Sequence, residues 1–188
     1  DNNLNHITVI NSCAVTAEAE KKVAYEIRKA KRRNPNNKIV VTGCAAQINP
    51  KKYCDFEEVD MVLGNKEKLL SKVWKNLNFH KPIQVDDILL EKETIPSSIE
   101  RFEGKSRAYI EIQQGCDHRC TFCIIPFGRG NNRSVPAGEL VDRIKKIVRN
   151  GYKEIVLTGV DITDYGKDLP AQPTFSNLVK RILKFVPE

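Results

Sequence analysis

"YIEIQQGCDHRCTFCIIPFGRG", residues 109 to 130, runs an alternating apolar segment into three cysteines, Cys116, Cys120 and Cys123, and then into a glycine-rich basic turn. The alternation predicts a strand over "RAYIEIQQG", with the thiols in the loop at its carboxyl end. Thiolates select zinc, copper(I) or iron–sulfur clusters, and four ligands normally close a structural zinc site or a simple electron-transfer cluster. Three thiols leave one metal position without a protein ligand, which is what a catalytic metal site keeps for its substrate. The C-x3-C-x2-C spacing is therefore expected to hold a reactive cluster. The alternatives are a zinc site completed by His118 or a distant residue, and a plain metal-binding or electron-transfer module.

Downstream, a helix is predicted from about Pro136 to Asn150, with Leu140, Ile144 and Ile147 facing inward and Gly151 past its end. "EIVLTG" (154 to 159) reads as the next strand, and Phe175, Leu178, Ile182 and Phe185 mark a further helix. This order opens a barrel-like or doubly wound domain whose sites lie at strand carboxyl ends. Upstream, "HITVI" (6 to 10), "KIVVTG" (38 to 43) and "MVLG" (61 to 64) are short apolar runs. A helix capped by Thr16, with an apolar face of Ala19, Val23, Ile27 and Ala30, separates the first two, and another is predicted from Lys66 to about Asn76. Short β-α-β links imply a parallel sheet covered by helices. Cys13 and Cys44 each follow a strand and so share the edge where ligands bind in such sheets.

The fold class is thus α/β. An amino-terminal parallel-sheet domain is expected over residues 1–78 and an interdomain connection, with room for a short strand at "PIQV", over 79–104. A second domain over 105–188 forms the start of a (β/α) barrel. The only methionine is Met61, so the chain is expected to continue upstream; it stops after a helix without a glycine cap, so sequence is expected downstream as well.

Thirty-one basic against twenty-four acidic residues give a net charge of +7, which suits a polyanionic partner such as nucleic acid and equally a solvated lysine-rich surface. No run approaches the roughly 18 apolar residues of a membrane span, and the first residues lack the order of a signal peptide. Six unevenly spaced cysteines without a secretory signal fit metal ligation in the reducing cytoplasm.

With Phe122 at the aromatic position of CxxxCxΦC, the cysteine loop resembles the radical S-adenosylmethionine (SAM) superfamily. That resemblance implies a [4Fe-4S] cluster on Cys116, Cys120 and Cys123 whose open iron chelates the amino and carboxylate groups of SAM. The longer segment "GCDHRCTFCIIPFGRGNNRS", together with "NSCAVT" around Cys13 and "TGCAAQ" around Cys44, is similar to the methylthiotransferases. The likeness covers nearly all 188 residues and does not include that family's carboxyl-terminal RNA-binding TRAM domain. It implies two [4Fe-4S] clusters in the full-length protein, with Cys13 and Cys44 holding part of the auxiliary one and its third ligand upstream. Cys54 is not at a family ligand position. One SAM would supply the methyl group and another the radical, with an electron donor such as flavodoxin or ferredoxin.

Family members act on a modified adenosine beside the tRNA anticodon or on an aspartate of a ribosomal protein. "EIVLTGVDITDYG" (154 to 166) resembles the threonylcarbamoyladenosine branch, against "GQNVNSY" in the isopentenyl branch and "QDTTxYG" in the ribosomal one. In this loop Gly159 admits close backbone approach and Asp161 can accept from the SAM ammonium, or else bond its own turn. Arg129 and Arg133 flank the cluster segment and can pair with the SAM carboxylate, an RNA phosphate or solvent.

Overall fold

A computed structural model of the chain describes residues 6–94 and 106–187. It divides into two compact units, one made of residues 1–91 with 119–130 and the other of 92–118 with 131–188.

The first unit is a parallel sheet in the order β1 (Ile7–Ser12), β2 (Lys38–Gly43), β3 (Met61–Leu63) and β4 (Ile83–Gln84). β2 is apolar on both faces because both are covered, as inner strands of parallel sheets require. Ile39 and Val41 pack with Val23, Ile27, Tyr53 and Val62, while Val40 packs on the opposite side with Met61 and Leu63. The helix α1 (Ala17–Arg33) supplies Val23 and Ile27. Thr16 caps it by accepting from the Ala19 N–H at 3.1 Å, Glu18 and Glu20 stand in its positive first turn, and Lys31, Arg32 and Arg33 close its negative end. Two one-turn helices, α2 (Cys44–Ile48) and α3 (Pro50–Cys54), connect β2 to β3.

The single helix predicted from Lys66 to Asn76 is instead a 3-10 turn at Glu67–Leu69 and the short helix α4 (Ser71–Lys75). Leu70 between them is extended (φ −89°, ψ 110°), and the Trp74 indole N–H donates at 2.8 Å to the Lys68 carbonyl that a continuous helix would have used. Tertiary packing explains the break, since Glu67 is buried and Trp74 turns onto the Met61 face of the sheet. "PIQV" does pair with the sheet through Ile83 and Gln84, and residues up to Glu91 belong to the first unit; residues 95–104 of the expected connection lie outside the described residues.

After β5 (Arg107–Gln114) come a one-turn helix α5 (Ile125–Arg129), which belongs to the first unit, and then β6 (Arg133–Ser134), α6 (Ala137–Arg149), β7 (Glu154–Gly159) and α7 (Phe175–Phe185) of the second. The sheet order is β6-β5-β7, with β7 parallel and β6 antiparallel to β5. Ala108, Ile110 and Ile112 point from β5 into a core completed by Leu140, Ile144 and Ile147 of α6 and Leu178 of α7. Pro136 takes the position just before α6 rather than its first turn, and Gly151 beyond it has φ +92°. Phe185, which shares the helical spacing of Leu178 and Ile182, is 45% exposed, and its neighbour Val186 packs against the core instead. Among the described residues, no helix is long and apolar enough to cross a membrane.

Asp60 ties the start of β2 to the turn before β3. Burial pushes its carboxyl up, but the Lys38 ammonium at 2.6 Å, the Ile39 N–H at 2.9 Å and the charge of Lys31 outweigh that and hold it below its ordinary value. A carboxyl lowered on folding stabilises above its unfolded pKa, about 3.9, and the gain disappears as pH falls through the lower folded value. Asp60→Asn is therefore expected to lose about 1 kcal/mol near neutral pH, with the gap to the parent closing below about pH 4, in urea titrations run across that range.

Candidate metal centre

In the first unit the parallel register pairs Ser12 with Gly43 at the carboxyl ends of β1 and β2, and Cys13 and Cys44 each follow directly on this pair. The junction is tight. Gly43 has φ +98°, and a Cβ there would stand 2.2 Å from the Ser12 carbonyl oxygen, so only glycine fits. The Ser12 hydroxyl donates to the Thr42 carbonyl at 2.6 Å and accepts from the Ala46 N–H at 3.0 Å, which fixes the turn that begins with Cys44.

Cys44 is partly buried and Cys13 exposed. The Cys44 sulfur receives the Arg129 Nε–H at 3.1 Å and the Asn65 amide at 3.7 Å. Asn65 also donates to the Gly128 carbonyl at 2.6 Å, and its own N–H is held by Gln47 Oε1 at 2.8 Å. Helix α5 therefore lies against Cys44, so closely that a Cβ on Gly128 would come within 2.9 Å of the cysteine Cβ. Cys120 and Cys123 belong to the same unit, joined by the Cys123 N–H on the Cys120 carbonyl at 3.0 Å, and Phe122 between them is 90% exposed. Cys54 packs at the edge of the core around Tyr53, as an apolar side chain does.

In the second unit Cys116, His118 and Asp161 bring one ligand atom each within 4.8 Å of one another. The Cys116 thiol donates to Asp161 Oδ2 at 3.7 Å, and His118 Nε2 lies 3.2 Å from the same oxygen. The Thr163 hydroxyl, donating to Asp161 Oδ1 at 2.5 Å, is the main reason the carboxyl sits below its ordinary value; burial opposes it, and Cys116 and His118 assist.

The organiser of this unit is a residue that sequence reading passed over. Gln113 is fully buried at the end of β5. Its Oε1 accepts from the Val160 and Asp161 N–H groups, both at 2.8 Å, and its Nε2 donates to the Gly115 carbonyl at 2.7 Å and to Asn132 Oδ1 at 2.6 Å. One side chain thus binds the turn into Cys116 to the loop that bears Asp161. Gly159 serves this contact, since a Cβ there would meet Gln113 Oε1 at 3.0 Å. Arg133 is buried, and Ser134 beside it is fixed by Asp168, which accepts from its N–H at 2.7 Å and its hydroxyl at 2.6 Å.

The donor set fits iron–sulfur ligation: all six thiols are free of disulfides, and hydrogen-bond donors already converge on the Cys44 sulfur, as they do on cluster sulfurs.

Residues 1–64 match the family described as "Uncharacterized protein family UPF0004", and residues 110–184 match the radical SAM superfamily. Nearly the whole chain is also similar to radical SAM methylthiotransferases. It is 53% identical over 185 residues to the threonylcarbamoyladenosine tRNA methylthiotransferase MtaB of Rickettsia prowazekii, covering 98% of this chain and 44% of that protein. It is 40% identical over 166 residues to the MtaB of Aquifex aeolicus, covering 86% and 40%. It is 34% identical over 189 residues to the tRNA-2-methylthio-N(6)-dimethylallyladenosine synthase of Natranaerobius thermophilus, covering 95% and 41%. The chain thus spans about four tenths of the length of the curated relatives it matches.

Two substitutions test this geometry in equilibrium unfolding. Gln113→Leu strands several buried partners and is expected to cost about 3 kcal/mol, at the upper end for lost buried hydrogen bonds. Gly128→Ala replaces glycine by the residue that ordinarily favours a helix by about 1 kcal/mol, yet contact with Cys44 makes it destabilising. A gain in stability from Gly128→Ala would show that α5 does not press on Cys44.

Proposed function

We propose that the chain is part of an enzyme that methylthiolates carbon 2 of N6-threonylcarbamoyladenosine next to the anticodon of tRNA, converting C–H to C–S–CH3. The observation that carries this reading is the 53% identity to a threonylcarbamoyladenosine enzyme along 98% of the chain, both cysteine regions included. The isopentenyl-type synthase stands further off at 34%.

In this reading Cys116, Cys120 and Cys123 hold a [4Fe-4S] cluster, and Cys13 and Cys44 hold part of an auxiliary one whose third ligand lies outside this chain. When bound, the first cluster supplies the electron for reductive cleavage of SAM, radical chemistry that no acid or base side chain provides. Asp161, whose carboxyl the Thr163 hydroxyl above all holds below its ordinary value, offers an acceptor for the SAM ammonium. Gln113 fixes the backbone of that loop, so the acceptor is oriented before the ligand arrives. Phe122 is an exposed ring in the first unit and Arg133 a buried guanidinium in the second.

The RNA substrate accords with the net charge of +7, and an anticodon-loop adenine is unpaired and reachable without opening a duplex. A flavodoxin or ferredoxin would deliver the electrons. A cytoplasmic location accords with a tRNA substrate and with six unevenly spaced cysteines suited to metal ligation.

The full-length protein, reconstituted anaerobically, is expected to hold about eight irons with matching sulfide, falling to about four when Cys116, Cys120 and Cys123 are replaced together. It should also cleave SAM under reducing conditions, and the triple variant should not. Zinc alone in the parent, or no loss of iron in the variant, would favour a structural metal module.

A further inference from the structure

We infer that Arg129 is a positioning residue for the auxiliary cluster: with the Asn65 amide it donates to the Cys44 sulfur and raises the reduction potential of the cluster that Cys44 ligates. This rests on the reading of Cys44 as a cluster ligand. Four hydrogen bonds build the arrangement. The Arg129 Nε–H reaches Cys44 Sγ at 3.1 Å and Asn65 Nδ2 reaches it at 3.7 Å. Asn65 anchors the residue before Arg129 through the Gly128 carbonyl at 2.6 Å, and is itself held by buried Gln47. The absence of a side chain on Gly128 lets α5 approach at all, because a Cβ would lie 2.9 Å from Cys44 Cβ. Gly130, with φ +81°, then ends the helix, its N–H on the Pro126 carbonyl at 2.8 Å, which leaves Arg129 as the last helical residue.

Reduction adds negative charge that spreads over the cluster sulfurs, and N–H donors to those sulfurs stabilise the reduced state. A guanidinium bond is charge-assisted and stronger than the longer amide contact, so Arg129 dominates. Arg129 lies six residues after Cys123. The segment that supplies two thiols of the SAM cluster thereby also supplies the donor to the auxiliary one, and a disturbance of that loop is felt at both centres.

The test uses the full-length protein with Cys116, Cys120 and Cys123 replaced by alanine, reconstituted anaerobically so that only the auxiliary cluster remains. Its midpoint potential is read by redox titration with electron paramagnetic resonance. Arg129→Met is expected to shift the midpoint to a more negative potential, and Arg129→Lys, which keeps the charge, to shift it less. An unchanged midpoint in Arg129→Met, or loss of iron from both variants, overturns the inference. If only Arg129→Met loses its iron, Arg129→Lys decides: a negative shift supports the inference and the parent's midpoint overturns it. A parent that holds no iron in this background overturns instead the assignment of Cys44 as a ligand, so the two failures are told apart.

Discussion

Parallel strand pairing decides which residues of this chain can share a ligand. In a parallel pair both strands deliver their following loops to one edge, and register then sets which residues stand side by side. The pairing of Ser12 with Gly43 sets Cys13 and Cys44 each one position past an in-register pair, although 31 positions separate them. The pairing of β5 with β7 likewise ends just before the turn into Cys116 and the loop of Asp161. A register slip would turn each strand's side chains to the opposite face, so the buried faces of β2 and β5 hold the sites in place as firmly as they hold the core.

Each unit braces its loops with a buried glutamine. Gln113 gathers the backbone around Cys116 and Asp161, and Gln47 accepts from the Asn65 N–H and donates to the Asp86 carbonyl at 2.8 Å. A side-chain amide offers donors and an acceptor together, so one residue can satisfy loop groups of both kinds that no strand or helix would pair. Such groups are costly to strand when buried, which makes the loops stiff without metal or substrate. Preformed loops of this kind suit chemistry that depends on holding ligands at fixed geometry.

Much of this was legible in the residues. The β-branched runs at 38–43 and 154–159, the capped helix after Thr16 and the inward stripe Leu140, Ile144 and Ile147 became β2, β7, α1 and α6, since long regular patterns survive tertiary packing. The break at Leu70 and the outward turn of Phe185 were not legible, because each depends on what packs opposite rather than on local periodicity. Gln113 escaped notice because a polar residue at the end of an alternating strand reads as solvent-facing; the pattern "QQG" before the first cysteine was its only signal. The short strand of Arg133 and Ser134 has no apolar alternation to betray it, and its order comes from Asp168, 34 positions beyond Ser134. The contact of Arg129 with Cys44 spans 85 positions and could only come from three dimensions.

On the proposed reading, the intact protein places a methylthio group on a tRNA adenosine that already carries threonylcarbamoyl. Mass spectrometry of nucleosides from the tRNA of cells lacking the protein tests it most directly. Loss of 2-methylthio-N6-threonylcarbamoyladenosine with accumulation of its unthiolated precursor is expected, restored by the intact protein and not by one lacking Cys116, Cys120 and Cys123. An unchanged content of the methylthiolated nucleoside, or loss of the isopentenyl-type one instead, would contradict it.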